Sequence, residues 1–350
     1  MKPTTLAFAA LFLLSGCLGL VDDVQHAVDA ARVKARVAVL ANLEISWPAS
    51  AKPFEKALAF CRAEGVDAVV VVGDPTQKRQ KNQYEVFESA FRRAFPEAAR
   101  TGVPRLVVAT NRVELEVKGF SFAAQPRRPQ GKNRLPTFHG EGKLALTDGL
   151  CAYPEGWNSF CAGSMSGIDA NPFYEPLGSA AQGRMKAAAQ GLLVKAYADE
   201  AMVRRIDFAS GEDVGEPWRV ALAESDARAP RQSQVPEFWP DTRLAVSRGY
   251  GKNGETLFTV RWPNLLSRHV GVRAFAYDVG VETEGNPSVV RHVLSDDFFR
   301  AEAHDAAPVR LSISAKDIPS GSGTFRVSVT PVSSLGVRGK PVFSESIPRP

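Results

Sequence analysis

From Arg36 to Ile45 the chain is rich in Val, Ile and Leu with no strict alternation of apolar and polar positions, the pattern of a strand buried on both faces. Pro53 to Glu64 changes period: Phe54, Leu58 and Cys61 recur at helical spacing, Ser50 is placed to cap the first turn, and Gly65 stops the helix. Asp67 to Val72 reads as a second buried strand. Tyr84, Phe87, Phe91 and Phe95 mark the inward face of a second helix, which Pro96 closes. Arg105 to Ala109 reads as a third strand. Strands alternating with helices predict a parallel sheet with right-handed crossovers, and in such sheets ligands gather at the carboxyl ends of the strands.

Beyond Val113 the apolar runs shorten and become more β-like. Leu192 to Tyr197 and Met202 to Phe208 alternate apolar and polar residues about a turn at Ala198 to Glu200, which predicts a hairpin. Asn171 to Gly178 is turn-rich and reads as an ordered loop. Ala223 to Pro240 is rich in Ala, Arg, Pro and Ser and reads as a linker. After it come about seven short apolar runs: Leu244–Arg248, Thr256–Trp262, Val270–Val279, Val289–Leu294, Arg310–Ser314, Thr324–Thr330 and Val342–Ser346. Their regular spacing, broken by Gly, Pro, Asn and Ser, predicts an all-β sandwich. Phe258-Thr259-Val260-Arg261-Trp262-Pro263 and Phe325-Arg326-Val327-Ser328-Val329-Thr330-Pro331 resemble two strands of fibronectin type III domains, with Trp262 as a core anchor. Phe325 stands where that family usually carries a Tyr whose hydroxyl ties a corner.

The first half carries a second resemblance. Val39 to Ile45, Val69 to Asp74 and Val107 to Arg112 follow the block order of calcineurin-like metallophosphoesterases. That family presents Asp-x-His after its first strand, where this chain has Asn42 and Glu44. The second block keeps Gly73-Asp74. The third resembles Gly-Asn-His but keeps only the Asn, as Asn111 followed by Arg112. Gly140-Glu141-Gly142-Lys143 lies where Gly-His-x-His would fall, with both His replaced. The resemblance implies a layered β-sandwich flanked by helices, an α+β or α/β architecture, over residues 36–222. It also implies a site at the strand ends made of Asn42, Glu44, Asp74, Asn111, Arg112, Glu141 and Lys143.

A dimetal phosphoesterase delivers a metal-bridging hydroxide to a phosphate ester, and holding two transition ions takes several imidazoles beside carboxylates. The chain has five His in all, and only His139 falls in this region. Only 28 residues separate Asn111 from Gly140, where the family holds further strands, helices and another His ligand. No dimetal site and no cofactor is therefore expected. Asp74, Asn111 and Glu141 are oxygen ligands of the type that suits one hard divalent metal ion. They are equally of the type that hydrogen-bonds loop backbones. Arg112 and Lys143 have the charge to neutralise Asp74 or Glu141. No phosphate-cradling loop, dinucleotide fingerprint or nucleophile elbow occurs.

A net charge of +5 on 350 residues is mild and spread along the chain. The dense cluster of Arg127, Arg128, Lys132 and Arg134 has no aromatic interleaving, so no nucleic-acid partner is expected. At the amino terminus Lys2 precedes an apolar run, Leu6 to Leu14, too short to span a bilayer. Leu14-Ser15-Gly16-Cys17 follows and resembles the bacterial lipobox. That implies cleavage before Cys17 and acylation of Cys17, with residues 1–16 as signal and 17–35 as tether. The mature protein would be lipid-anchored in the cell envelope, outside the cytoplasm. There disulfides persist. Cys151 and Cys161 flank a turn and are spaced for a bridge, or are small core residues; Cys61 reads as a buried free thiol.

These readings combine into a membrane-tethered lipoprotein. Residues 36–222 would be the degenerate phosphoesterase-like domain, 223–240 a linker and 241–350 a fibronectin-like sandwich. Its role would be non-catalytic binding of an envelope protein or a glycan. The alternative is a residual metal-dependent hydrolase using Asp74, Asn111 and Glu141.

Overall fold

The computed structural model describes residues 32–111, 113–125, 143–147, 159–161, 174–175, 189–221, 235–265, 274–283, 286–295, 308–319, 323–333 and 336–349. The protein is mostly sheet with few helices, and it has several sheets. The first sheet is built on β1 (Ala35–Ala41), β2 (Ala68–Val72) and β3 (Arg105–Ala109), which run parallel in that order. Helices α1 (Lys52–Glu64) and α2 (Lys81–Ala94) make the crossovers, and a short α3 (Ala98–Thr101) leads into β3. The strand expected over Arg36 to Ile45 ends at Ala41, because Asn42 and Glu44 turn left-handed.

Ser50 does not cap α1. A 3₁₀ turn, Pro48–Ala51, intervenes, and the Ser50 hydroxyl accepts from the N–H groups of Ser46 (2.9 Å) and Trp47 (3.2 Å). Gly65 ends the helix as expected, with φ +64°. Phe54 of α1 stacks on Phe87 of α2 with ring centroids 5.2 Å apart, so the two helices share one apolar seam.

The chain then forms a second sheet of β4 (Val113–Val117), β5 (Phe120–Gln125), β6 (Lys143–Thr147) and β7 (Ser159–Cys161), in that order. The two-residue strand β8 (Tyr174–Glu175) follows. Strands β9 (Gln190–Ala196) and β10 (Glu200–Asp207) form the expected hairpin, and β9 pairs antiparallel with β1. Short strands β11 (Glu212–Asp213) and β12 (Trp218–Ala221) pair with β10 and complete the first sheet.

The β1 and β2 side chains alternate between two cores. Val37, Val39, Ala41, Val70 and Val72 pack with Leu115, Phe122 and Ala124 of the second sheet. Ala38, Leu40, Val69 and Val71 pack with Phe54, Leu58, Cys61, Phe87 and Phe91 of the helices. Both faces are covered, which explains the continuous apolar runs.

The remaining strands are β13 (Ala245–Tyr250), β14 (Thr256–Trp262), β15 (Ala276–Thr283), β16 (Asn286–Leu294), β17 (Val309–Ser314), β18 (Thr324–Val332), β19 (Val342–Phe343) and β20 (Ile347–Pro348). One sheet has the order β13-β14-β17. The other has the order β19-β18-β15-β16-β8, with β20 on β18. Phe258, Val260 and Trp262 from the first, and Tyr277, Val279, Phe325 and Val327 from the second, share one core. The strand expected over Val270 to Val279 starts later, at Ala276. The turn-rich Asn171 to Gly178 is not wholly loop: Tyr174 and Glu175 run parallel to β16, opposite His292 and Val293.

Candidate functional site at the strand ends

The carboxyl ends of β1, β2 and β3 are level, since Ala41 pairs with Val72 and Val72 with Ala109. Asn42, Gly73-Asp74 and Thr110-Asn111 therefore leave three adjacent strands side by side, about 5 Å apart from strand to strand. Backbone hydrogen bonds extend the sheet past its last residues. Asn42 N–H donates to Val72 O (3.2 Å), and Gly73 N–H to Ala109 O (3.1 Å). The first two loops are also tied together: Ile45 N–H donates to Pro75 O and Gln77 N–H to Ile45 O, each at 3.2 Å. Gly73 turns the chain at φ +85°, a conformation that side chains oppose.

Four described residues other than glycine have left-handed backbones, and three of them lie in these loops: Asn42 (φ +48°), Glu44 (+47°) and Arg79 (+52°). The fourth is Lys118, in the turn between β4 and β5. Asn tolerates this region; for Glu and Arg it costs roughly 1 kcal/mol each, so surrounding contacts must hold them there.

The carboxylate of Asp74 is engaged. Arg79 spans it with a fork, Nε to Oδ1 at 3.0 Å, Nη2 to Oδ1 at 2.8 Å and Nη2 to Oδ2 at 3.0 Å. The sequence reading assigned this neutralising role to Arg112 or Lys143 and did not name Arg79. The available signal was local: Gly73-Asp74-Pro75 marks a tight loop, and Arg79 is the last cation before α2.

The structure places Lys143 elsewhere. The chain runs along β3 to the Asn111 end and back along β4. Lys118, in the next turn, pairs with Asp67 at 2.8 Å, at the amino end of β2. Strand β5 starts from that turn, and Lys143 is in register with its Ser121. Lys143 thus opens β6 at the amino end of the sheet, separated from Asp74 by the length of β2, roughly 16 Å. The motif order suggested a strand-end loop, but residue 143 begins a strand. Of β5 and β6, the residues at the Asp74 end are Gln125 and Thr147. Arg112, Glu141, Cys151, His139, Cys17 and the basic cluster at 127–134 lie outside the described residues, and of Cys161 only the backbone, in β7, is described.

Among the described residues no three His, Cys, Asp or Glu side chains come together in a way that could hold a metal. At the strand ends Asp74 is bound to Arg79, Glu44 and Asn111 are exposed, and Asn42 is half-buried. One further oxygen lies in the loop: the buried Thr76 hydroxyl, which has no hydrogen-bond partner among the described residues. Among the described residues, a hydroxyl, two amides, one further carboxylate and no imidazole do not fit a dimetal centre.

No protein-family model matches the chain, and no curated protein matches its sequence. One solved structure similar to it is a conserved uncharacterized protein, a predicted phosphoesterase, from Streptococcus pneumoniae TIGR4. The identity is 12%, the TM-score is 0.30, and the match covers 53% of this chain and 97% of that one. A likeness of that size is a weak one and carries no argument about activity.

Proposed function

We propose that the chain is a lipid-anchored, non-catalytic binding protein of a bacterial cell envelope. In this reading residues 36–222 form a calcineurin-like phosphoesterase domain that has lost its metal ligands, residues 223–240 a linker, and residues 241–350 a fibronectin type III-like sandwich. The observation that carries the loss of catalysis is the chemistry of the strand ends. Asn42 and Glu44 stand in place of Asp and His, and the Asp74 carboxylate is forked by the Arg79 guanidinium. Metal-assisted hydrolysis needs a bound water made acidic by the ion, and the loss of the imidazole ligands at these positions argues against such a centre.

Binding is supported by the build of the same surface. Two cross-linked loops hold strained residues in place, so the surface is rigid before any partner arrives, which lowers the ordering cost of association. Trp47, three residues after Glu44, is 60% exposed and offers an aromatic platform beside polar groups, the combination that suits a glycan or an envelope protein. The fibronectin-like assignment is supported by the sheet orders β13-β14-β17 and β16-β15-β18-β19 around buried Trp262. Anchoring rests on Leu14-Ser15-Gly16-Cys17. No helix among the described residues is long and apolar enough to cross a membrane.

The test is direct. Purified protein, assayed on p-nitrophenyl phosphate and its diester with Mn²⁺, Fe²⁺ or Zn²⁺, should show no saturable turnover and should carry no stoichiometric transition metal. Metal-dependent turnover abolished by Asp74→Ala would overturn the non-catalytic reading. For anchoring, Cys17→Ala should release the protein from the membrane fraction; acylated, detergent-partitioning Cys17→Ala protein would overturn the lipoprotein reading.

A further inference from the structure

We infer that the amino end of the first sheet is a membrane-facing surface, fitted to a bilayer that carries anionic lipid headgroups. The inference rests on the proposed lipid anchor, and it adds which way the anchored protein faces. The chain enters the fold at this end: Lys34 N–H donates to Ala196 O at 2.8 Å, and β1 begins at the next residue. Lys34 follows Cys17 by 17 positions. Even fully extended, that length of chain spans at most about 60 Å, so an acyl group on Cys17 keeps this end within reach of the bilayer.

Basic residues gather where the chain enters. Asp67 sits among them: its N–H donates to Arg36 O (2.8 Å), its Oδ2 accepts from Arg36 N–H (2.8 Å), its carbonyl accepts from Arg105 N–H (2.9 Å), and its Oδ1 pairs with Lys118 Nζ (2.8 Å). Arg32, Lys34, Arg100 and Arg105 are exposed, and none of them makes an ion pair among the described residues. Most carboxylates at this end are already matched: Asp67 by Lys118, Glu64 by Lys195 and Arg204, and Glu200 by Arg219. Glu97, Glu116 and Asp199 are the acidic side chains that oppose the free cations, which leaves a cationic excess. Val103, between Arg100 and Arg105, is 49% exposed. Arg105 is the register partner of Ala68, so Val103 stands two residues beyond the start of the sheet, at its tip. An apolar side chain flanked by cations suits the boundary between acyl chains and anionic headgroups. The Asp74 end lies on the far side, roughly 16 Å away along β2, so the anchored protein holds its Trp47 surface away from the bilayer.

The experiment uses the full mature chain from residue 17 as Cys17→Ser, which carries no acyl chain. Its partitioning is measured by sedimentation with vesicles of phosphatidylcholine alone, or with about one-third phosphatidylglycerol, at about 50 and about 500 mM NaCl. The protein should bind the vesicles that contain phosphatidylglycerol at low salt, about tenfold better than neutral ones, and high salt should release it. Lys34→Gln/Arg100→Gln/Arg105→Gln should lose about tenfold or more of that binding. Lys52→Gln/Lys56→Gln/Lys81→Gln removes the same charge from the opposite end of the sheet and should bind within about twofold of the parent. Equal losses in the two triple variants would show that net charge alone is sensed, and would overturn the proposal. So would equal binding to neutral vesicles, or binding to heparin but not to vesicles. If the first triple variant does not fold, Lys34→Gln/Arg100→Gln decides in its place: a loss of about fivefold supports the proposal and none overturns it. Because no acyl chain is present, this test can fail while the membrane-fraction test of Cys17 anchoring succeeds, and the reverse.

Discussion

Oδ1 of Asp278 lies 2.6 Å from Nδ1 of His292, and its other oxygen accepts a 2.8 Å hydrogen bond from Nε of Arg338. Asp278 and His292 are register partners on β15 and β16, and the pair sits where β8 joins the sheet through Tyr174. Asp278 is 9% exposed. Burial pushes its carboxyl up, but the hydrogen bonds and charges of His292 and Arg338 outweigh that and hold it below the usual carboxylate range. The ionised form is thus favoured more in the folded than in the unfolded chain. Its contribution is fully present above the ordinary carboxylate range and is lost as pH falls through the folded value.

The first prediction follows. Asp278→Asn should cost about 2 kcal/mol at neutral pH, the loss of hydrogen bonds to a charged group. The gap between variant and wild type, measured by urea unfolding, should narrow steadily as pH falls below about 4. A gap independent of pH down to acid unfolding would mean that Asp278 acts by packing alone.

Glu64, the last residue of α1, carries a second network. Its carboxylate meets Lys195 Nζ at 2.9 Å and Arg204 Nη1 at 3.3 Å, and Arg204 also forks onto Asp213. A carboxylate at a helix carboxyl end is poorly placed relative to the helix dipole, so the cations of β9 and β10 must offset it. Burial alone would raise its pKa; Lys195 and Arg204 more than reverse that and lower it. Glu64→Gln should destabilise by about 1–2 kcal/mol at neutral pH, and Glu64→Gln combined with Lys195→Met should cost less than the sum of the singles. Additivity in that double-mutant cycle would show that the two side chains do not interact.

How much of this was legible in sequence depended on the range of the forces involved. The three parallel strands and both long helices were legible, because each is buried along a whole face and writes its period into consecutive residues. The hairpin of β9 and β10 was legible for the same reason. Ser50 misled because it has the right side chain for a cap, yet its hydroxyl serves the turn at Ser46 and Trp47. Lys143 misled because motif order was taken for topology; only the Lys118–Asp67 contact shows at which end of the sheet that region starts. Arg79 escaped notice because an ion pair closed through a left-handed residue leaves no periodic mark. The β8 contact with β16 links residues more than a hundred positions apart through two backbone pairs, which no local pattern records.

Gly191 shows the same limit at one atom. It lies on β9 opposite Leu40, and a Cβ there would come within 2.6 Å of Val39 O and 2.7 Å of Phe208 Cε2. The first is backbone in the middle of the sheet and cannot yield. Gly191→Ala should therefore destabilise by about 1–3 kcal/mol, although Ala normally fits a strand better than Gly. Thermal unfolding checks the sign, and a stabilised variant would show that β1 and β9 are further apart than described.

The last prediction concerns a tie in the C-terminal sheets. Phe325, expected where a tyrosine hydroxyl usually binds a corner, is instead a core ring packed edge-on to Phe258 at 4.9 Å. A hydroxyl elsewhere in the same core ties the chain. Tyr277 on β15 is fully buried, with its ring edge-on to Trp262 at 5.4 Å. Its oxygen accepts from the Leu265 N–H at 2.9 Å and donates to the Asn264 side-chain oxygen at 2.7 Å. Asn264 and Leu265 come just after β14, beyond Pro263, so the hydroxyl fixes the point where the chain leaves one sheet for the other. Tyr277→Phe keeps the ring and its packing but strands a buried backbone donor, which costs about 1–3 kcal/mol. Because Leu265 is itself buried, solvent cannot easily replace the lost bond. The expected result is a lower unfolding midpoint with an unchanged denaturant slope, together with faster amide exchange at Leu265. An unchanged midpoint with Leu265 still protected would show that the exit of β14 is held by packing rather than by this hydroxyl.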